Sequence, residues 1–192
     1  MTRPELQKLG LNKWAKAGFQ GILNWATGVG KTYAAILAVE YFQKKYPDQE
    51  ILIVCPTNFI INNFKQEFKK FKKEKLLKNC SFICYASVHK LEKQYSLVVF
   101  DEVHHLVTAK KMQFFKNCTF RATLGLSASL TSEEKYALKF YMPIIDVFTL
   151  QQAVEAGFVA PYTIINIPVN FTLYEKDEYD QLTGKINYTT ET

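Results

Sequence analysis

Lys31 and Thr32 directly follow two glycines, Gly28 and Gly30, in the stretch G-I-L-N-W-A-T-G-V-G-K-T from Gly21 to Thr32. A lysine can set a point charge against the outer phosphates of a nucleotide, and a threonine hydroxyl can bind Mg²⁺. Glycines let backbone N–H groups turn inward around phosphate oxygens. A second pair, Asp101 and Glu102, stands just past the apolar run Leu97-Val98-Val99-Phe100. Asp101 there is placed to hold Mg²⁺ through water, because Mg²⁺ keeps several waters and takes only one or two carboxylates. Glu102 is then free to polarise an attacking water as general base. His104 and His105 follow, but H-E-x-x-H is absent, which disfavours zinc hydrolysis.

The strict phosphate-loop pattern wants a further glycine at position 25, where this chain has Trp25. The plainer alternative is a glycine turn between a strand and a helix, with Lys31 solvated. Lysine-threonine directly after two glycines at such a junction favours the phosphate loop, Thr27-Gly28-Val29-Gly30-Lys31-Thr32.

These groups need a scaffold that brings strand ends together, and the rest of the chain reads as one. Leu6, Leu9, Trp14 and Ala17 recur at roughly helical spacing after Pro4, until Gly18. The helix after Thr32 runs to about Lys45. Ile51-Leu52-Ile53-Val54-Cys55 is a continuous apolar run suited to a strand buried on both faces. Residues 81–85, 97–100, 122–126, 144–148 and 162–169 read as further strands. Helices are expected around Phe114-Phe115, from Ser132 and over 150–156, with Ser87 capping a short helix from Val88. Strands alternating with helices indicate an α/β fold, a three-layer parallel sheet with helices on both faces. Ligands gather at the carboxyl ends of such strands. Four apolar strands here end in polar clusters: the glycine loop, Pro56-Thr57, Asp101 to His104, and Ser127-Ala128-Ser129.

With 192 residues and 48% hydrophobic content the chain suits one sizeable core. Residues 1–171 carry 22 basic and 13 acidic side chains, and residues 172–192 carry 2 and 5. A basic body suits a polyanionic partner. On the helix after Asn58, Ile60, Phe64, Phe68 and Phe71 mark one face. Lys65, Lys69, Lys70, Lys72, Lys73, Lys75 and Lys78 mark the other, as a phosphate-contacting stripe or, in the favoured reading, a solvated face, because lysine is the ordinary exposed helix residue. Cys55 and Cys84 read as small core residues, and no C-x-x-C occurs. The opening is polar and no apolar run approaches about 18 residues, so the expectation is an intracellular protein, cytoplasmic or nuclear/nucleoid, with no membrane partner.

From about Arg3 to Val169 the sequence resembles the first RecA-like domain of superfamily 2 helicases and translocases. Within these it is most similar to the D-E-x-H group that includes type III restriction-enzyme ATPase subunits and xeroderma-type repair helicases. A-T-G-V-G-K-T matches motif I, where the family also lacks the first glycine; I-L-I-V-C-P-T matches motif Ia, D-E-V-H motif II and L-G-L-S-A-S motif III. The resemblance implies ATP and Mg²⁺ as ligands, with Thr27 to Thr32 around the phosphates and Thr32 and Asp101 at the metal. It implies that Gln7 reads adenine, although the usual P-x-Q is P-E-L-Q here. His104, Ser127 and Ser129 would couple nucleotide state to the nucleic-acid side, and Pro56, Thr57 and Ser87 would touch the nucleic-acid backbone, DNA rather than RNA. Helix capping and turn formation account equally for those last three.

The resemblance also implies a second RecA-like domain, in the same chain or a partner subunit, that supplies arginines to the phosphates. Residues 1–171 would be the ATP-binding domain, and 172–192 an acidic polar tail or the start of a linker to that domain. Another reading keeps the same residues as a stand-alone nucleic-acid or protein-binding module that binds ATP without turnover.

Overall fold

Strand residues alternate between two buried faces, and that alternation builds the core. In β2 (Ile51–Cys55), Ile51, Ile53 and Cys55 pack into one apolar cluster while Leu52 and Val54 pack into another. A continuous apolar run is what a strand covered on both sides requires. The computed structural model describes residues 1–163, 165 and 172–189. It divides into two compact units, Met1–Ala160 and Pro161–Thr192.

The first unit holds a six-stranded sheet in the order β3-β2-β4-β5-β1-β6. The strands are β1 (Gln20–Trp25), β2, β3 (Cys80–Cys84), β4 (Gln94–Asp101), β5 (Thr119–Ser127) and β6 (Ile144–Phe148), and every pairing is parallel. Helices α1 (Arg3–Lys16), α2 (Lys31–Lys45) and α3 (Asn58–Lys70) cover one face. The other face is covered by a 3-10 turn, Tyr85–Lys90, and by two single-turn helices, α4 (Ala109–Met112) and α5 (Phe114–Asn117), with α6 (Ser132–Leu138). A short helix α7 (Leu150–Glu155) follows β6. The expected three-layer α/β fold is therefore present.

Local chemistry sets the helix starts. Thr2 and Glu5 form a reciprocal capping box on α1, Thr131 and Glu134 one on α6, and Thr149 and Gln152 one on α7. Thr57 accepts from the Ile60 N–H at 3.3 Å and starts α3. Gly30, with φ at +96°, starts α2 through its backbone alone.

Several details differ from the sequence pattern. Leu9 is 51% exposed, and the buried stripe of α1 is Leu6, Gly10 and Trp14, with Gln7 beside it. The reason is close approach: a Cβ at Gly10 would run into the Trp25 ring, so α1 turns its glycine toward the sheet. On α3 the buried residues are Ile61, Phe64 and Phe68, with Ile60 half-buried. The lysines do not form one stripe. The helix ends at Lys70, and Lys72 adopts φ +55°. Lys73 turns inward to Glu40 at 2.8 Å, while Lys75 and Lys78 lie on a separate 3-10 turn, Glu74–Asn79.

Ser87 caps no helix; it sits inside the 3-10 turn, which starts earlier because the Tyr85 side chain is drawn into the core. Cys55 is buried, whereas Cys84 is only half-buried because β3 is an edge strand. Most of the strand expected over 162–169 lies outside the described residues. In the second unit, Leu173–Thr189 form α8, within the stretch read as an acidic polar tail or the start of a linker.

Candidate active site

Strand β1 ends at Trp25, and that residue explains the missing glycine. Its side chain is fully buried, and its indole Nε1 donates to Asp146 Oδ2 at 2.9 Å. Asp146 also holds Lys13 Nζ at 2.5 Å, so the carboxylate is paired and hydrogen-bonded. Position 25 thus belongs to the strand end and its packing, and the loop proper begins after it. Gly28 and Gly30 both adopt left-handed φ, +77° and +96°. Gly30 has a second constraint: a Cβ there would collide with the Gln7 amide, whose Nε2 donates to Gly30 O at 3.3 Å.

No side chain caps the start of α2, and Lys31, Thr32 and Tyr33 line a cleft of about 640 Å³. Uncapped first-turn N–H groups with the positive end of a 15-residue helix behind them make an anion site. Lys31 is half-buried, and its Nζ donates to Trp25 O at 2.9 Å and Ala26 O at 3.2 Å. Burial lowers its pKa, and Glu102 and Asp101 act against that.

The opposite wall comes from the end of β4. Asp101 and Glu102 line the same cleft as Thr27, Gly28, Lys31 and Thr32. Glu102 adopts φ +49°, ψ +62°, a left-handed conformation that costs a non-glycine residue about 1 kcal/mol. Burial, and then the neighbouring Glu102, push the Asp101 carboxyl up to about 6, with Lys31 opposing. The folded chain therefore keeps this proton to about pH 6, whereas the unfolded chain releases it near 3.8. Asp101 contributes least to stability above pH 6, and its cost sets in as pH rises from about 4 to 6.

Asp101→Asn is accordingly expected to stabilise the ligand-free chain at pH 7.5 by on the order of 1–3 kcal/mol. Thermal melts should show a gain of several degrees at pH 7.5 that vanishes near pH 4. An equal shift at both pH values would mean that charge is not the cause.

His104, Ser127 and Ser129, expected to couple nucleotide state to the nucleic-acid side, meet. β5 lies between β1 and β4, with Ser127 level with Asn24 and Leu126 level with Asp101. Ser127 Oγ donates to Ser129 O at 2.7 Å, and His104 Nδ1 lies 3.3 Å from Ser127 Oγ. Since the serine proton is committed to Ser129, His104 Nδ1 is the donor of that contact. The same nitrogen is 3.6 Å from Glu102 Oε2. Ser129 thus takes part through its carbonyl.

Pro56, Thr57 and Ser87 are not among the cleft's lining residues. Pro56 and Thr57 follow the carboxyl end of β2, with Thr57 engaged as the cap of α3; Ser87 follows β3. Three further residues had no expected role. Buried Tyr85 donates its hydroxyl to Asp101 O at 2.8 Å. Tyr33 and Phe71, with ring centroids 4.1 Å apart, line the cleft beside Gln7. Tyr33 directly follows Lys31-Thr32 and could have been picked out by position, while nothing local marks Tyr85.

Residues 3–132 match the family model described as "Type III restriction enzyme, res subunit". The chain is 29% identical to the DNA 3'-5' translocase XPB2 of Sulfurisphaera tokodaii over 95% of its own length, and spans 44% of that relative. Among solved structures it resembles the Pyrococcus furiosus Hef helicase domain, with TM-score 0.55 and 19% identity over 77% of this chain and 39% of that one. It also resembles the type ISP restriction-modification enzyme LlaGI, solved with a DNA substrate mimic, with TM-score 0.61 and 15% identity over 80% and 20% of the two chains. Among the described residues no helix is long and apolar enough to cross a membrane. With the family matched over most of its length and a six-stranded parallel sheet carrying the motifs, the chain belongs to the type III restriction enzyme res subunit family, as a RecA-like domain of the superfamily 2 helicases and translocases.

Proposed function

We propose that this chain is the ATP-binding half of an ATP-dependent DNA helicase or translocase, with residues 1–171 as its domain and 172–192 as tail or linker. The observation that carries the reading is the convergence of Lys31, Thr32, Asp101 and Glu102 on one cleft from the ends of two strands, with Ser127 on the strand between. Lys31 grips the outer phosphates, the first-turn N–H groups of α2 bind the inner ones, and Gln7 reads the base. Thr32 and, through water, Asp101 would hold Mg²⁺. The raised pKa of Asp101 beside Lys31 suits a carboxylate that gains a cation on binding. Mg²⁺ supplies charge neutralisation on the phosphates.

Glu102 takes a proton from the attacking water, and the His104–Ser127 contact reports the state of the cleft to β5. Pro56, Thr57 and Ser87 meet the DNA backbone at the same sheet end. A second RecA-like domain completes the phosphate site with arginine. The resemblance to a DNA translocase and the basic body both support DNA as partner.

Calorimetry with Mg·ATP tests the core of this reading. Losing a charge-assisted contact costs about 1.5–3 kcal/mol, so Lys31→Ala should weaken binding roughly 10- to 100-fold. A thermal melt run alongside separates this from unfolding, since Lys31 also bonds two loop carbonyls. Equal binding by a folded variant would remove the phosphate-loop assignment.

A further inference from the structure

Three lysines gather on a surface built from the turn after β3 and the helix after β4. Lys90 ends the 3-10 turn Tyr85–Lys90, while Lys110 and Lys111 stand on α4, which packs against that turn. Burial, and then Lys110 and Lys90, hold down the pKa of His89, which lies on the same turn as Lys90. Asn117 Nδ2 donates to His89 O at 3.4 Å and ties α5 to the same turn.

Among the described residues none of the three lysines has an acidic partner. Around α3, Lys70 pairs with Glu67 and Lys73 with Glu40, while Lys69 and Lys75 likewise lack an acidic partner but stand on separate elements, α3 and the 3-10 turn after it. Clustered like charge without a counter-charge raises the local potential and suits a polyanion.

The surface is also tied to the cleft. Lys111 Nζ donates to His105 O at 2.7 Å, and Tyr85, from the same turn as Lys90, donates to Asp101 O. No exposed large apolar side chain lies on the turn or on α4, so the surface offers no platform for an unstacked base. Its chemistry reads phosphates alone.

We propose that Lys90, Lys110 and Lys111 form a docking surface for the phosphate backbone of duplex DNA, joined to the Asp101 turn through Tyr85 and Lys111. This rests on the reading of DNA as partner and extends its path from the turn that holds Ser87 onto α4, away from Pro56 and Thr57.

The test is fluorescence anisotropy with a labelled 20-base-pair duplex across a salt series, on the full chain. Lys90→Ala/Lys110→Ala removes two exposed charges and leaves the Lys111 bond in place. Two lost phosphate contacts should flatten the log–log salt slope by about 2 and cut affinity roughly tenfold or more at 50 mM salt. Lys69→Ala/Lys75→Ala, an equal charge change on and after α3, should leave the slope unchanged. Equal loss in both variants would overturn the proposal, because diffuse charge would then explain binding. An unaltered slope in the first variant with DNA still bound would overturn it too, while leaving the DNA reading intact. Displacement of the duplex by polyglutamate at equal charge, or tighter binding of a single strand of the same length, would reassign the surface. No binding by the unaltered chain at 50 mM salt would defeat both readings.

Discussion

Glu102→Gln is expected to lower ATP turnover by roughly 10²–10⁴-fold in a protein carrying both RecA-like domains, with Mg·ATP affinity retained. Glutamine keeps the size and the left-handed backbone that Glu102 already holds, so the cleft survives. What disappears is the base. Two neighbours respond in a predictable direction. Asp101 loses the like charge that helps raise its pKa and becomes easier to ionise, which favours the metal. Lys31 loses one of two anions that support its charge but keeps its bonds to the loop carbonyls. Binding should therefore hold or tighten while chemistry fails, the pattern of a group that acts only in the transition state. Phosphate release and calorimetry on the same preparation give both numbers. Turnover near that of the unaltered protein would place the base elsewhere.

Where one residue run decided the matter, the sequence was sufficient. The expected spans Ile51–Cys55 and Ile144–Phe148 match β2 and β6; β2 was plain because a parallel strand buried on both faces reads as an uninterrupted apolar run, whereas β6 is an edge strand with Asp146 in its middle. The glycine loop and the carboxylate pair were legible for a related reason: each is a local spacing at a strand end, and the parallel fold brings those ends together. Contacts that join distant positions were not legible. Trp25 bonds Asp146 across 121 residues, and Tyr85 bonds the Asp101 carbonyl because the order β3-β2-β4 brings their strand ends close. Periodicity carries no information on strand order. Helix phase failed for a smaller reason. On α3 a one-residue shift from Ile60 to Ile61 costs little apolar area, so packing chose the phase. The lysines beyond it scattered once Lys72 turned left-handed.

The largest effect expected is that of a second domain. Taken alone, this chain should bind Mg·ATP weakly and hydrolyse it barely, with little stimulation by DNA. Adding the second RecA-like domain should raise turnover by roughly 10³–10⁵-fold, the range an arginine contributes to phosphoryl transfer. The chain has two arginines, and both are engaged. Arg121 lies near the start of β5, the sheet end opposite Asp101; its Nε donates to Gln49 Oε1 at 3.1 Å and its guanidinium sits 4.8 Å from the Tyr46 ring centroid. Arg3 lines the cleft, but its guanidinium donates to Phe158 O at 2.5 Å and stacks over that ring at 5.2 Å. Neither is free to meet charge developing on a transferring phosphoryl group. Lys31 and the α2 N-terminus can stabilise that charge from one side only, and electrostatic stabilisation aimed at the transition state is what the opposite side must supply. Phosphate release by the chain alone, by the chain with its second domain, and by that pair with and without duplex DNA decides the matter. Robust DNA-stimulated turnover by the chain alone would show that a second copy, or some other group, completes the site. A pair that stays inactive on every nucleic acid while still binding ATP would leave a nucleotide-holding module in place of half a motor.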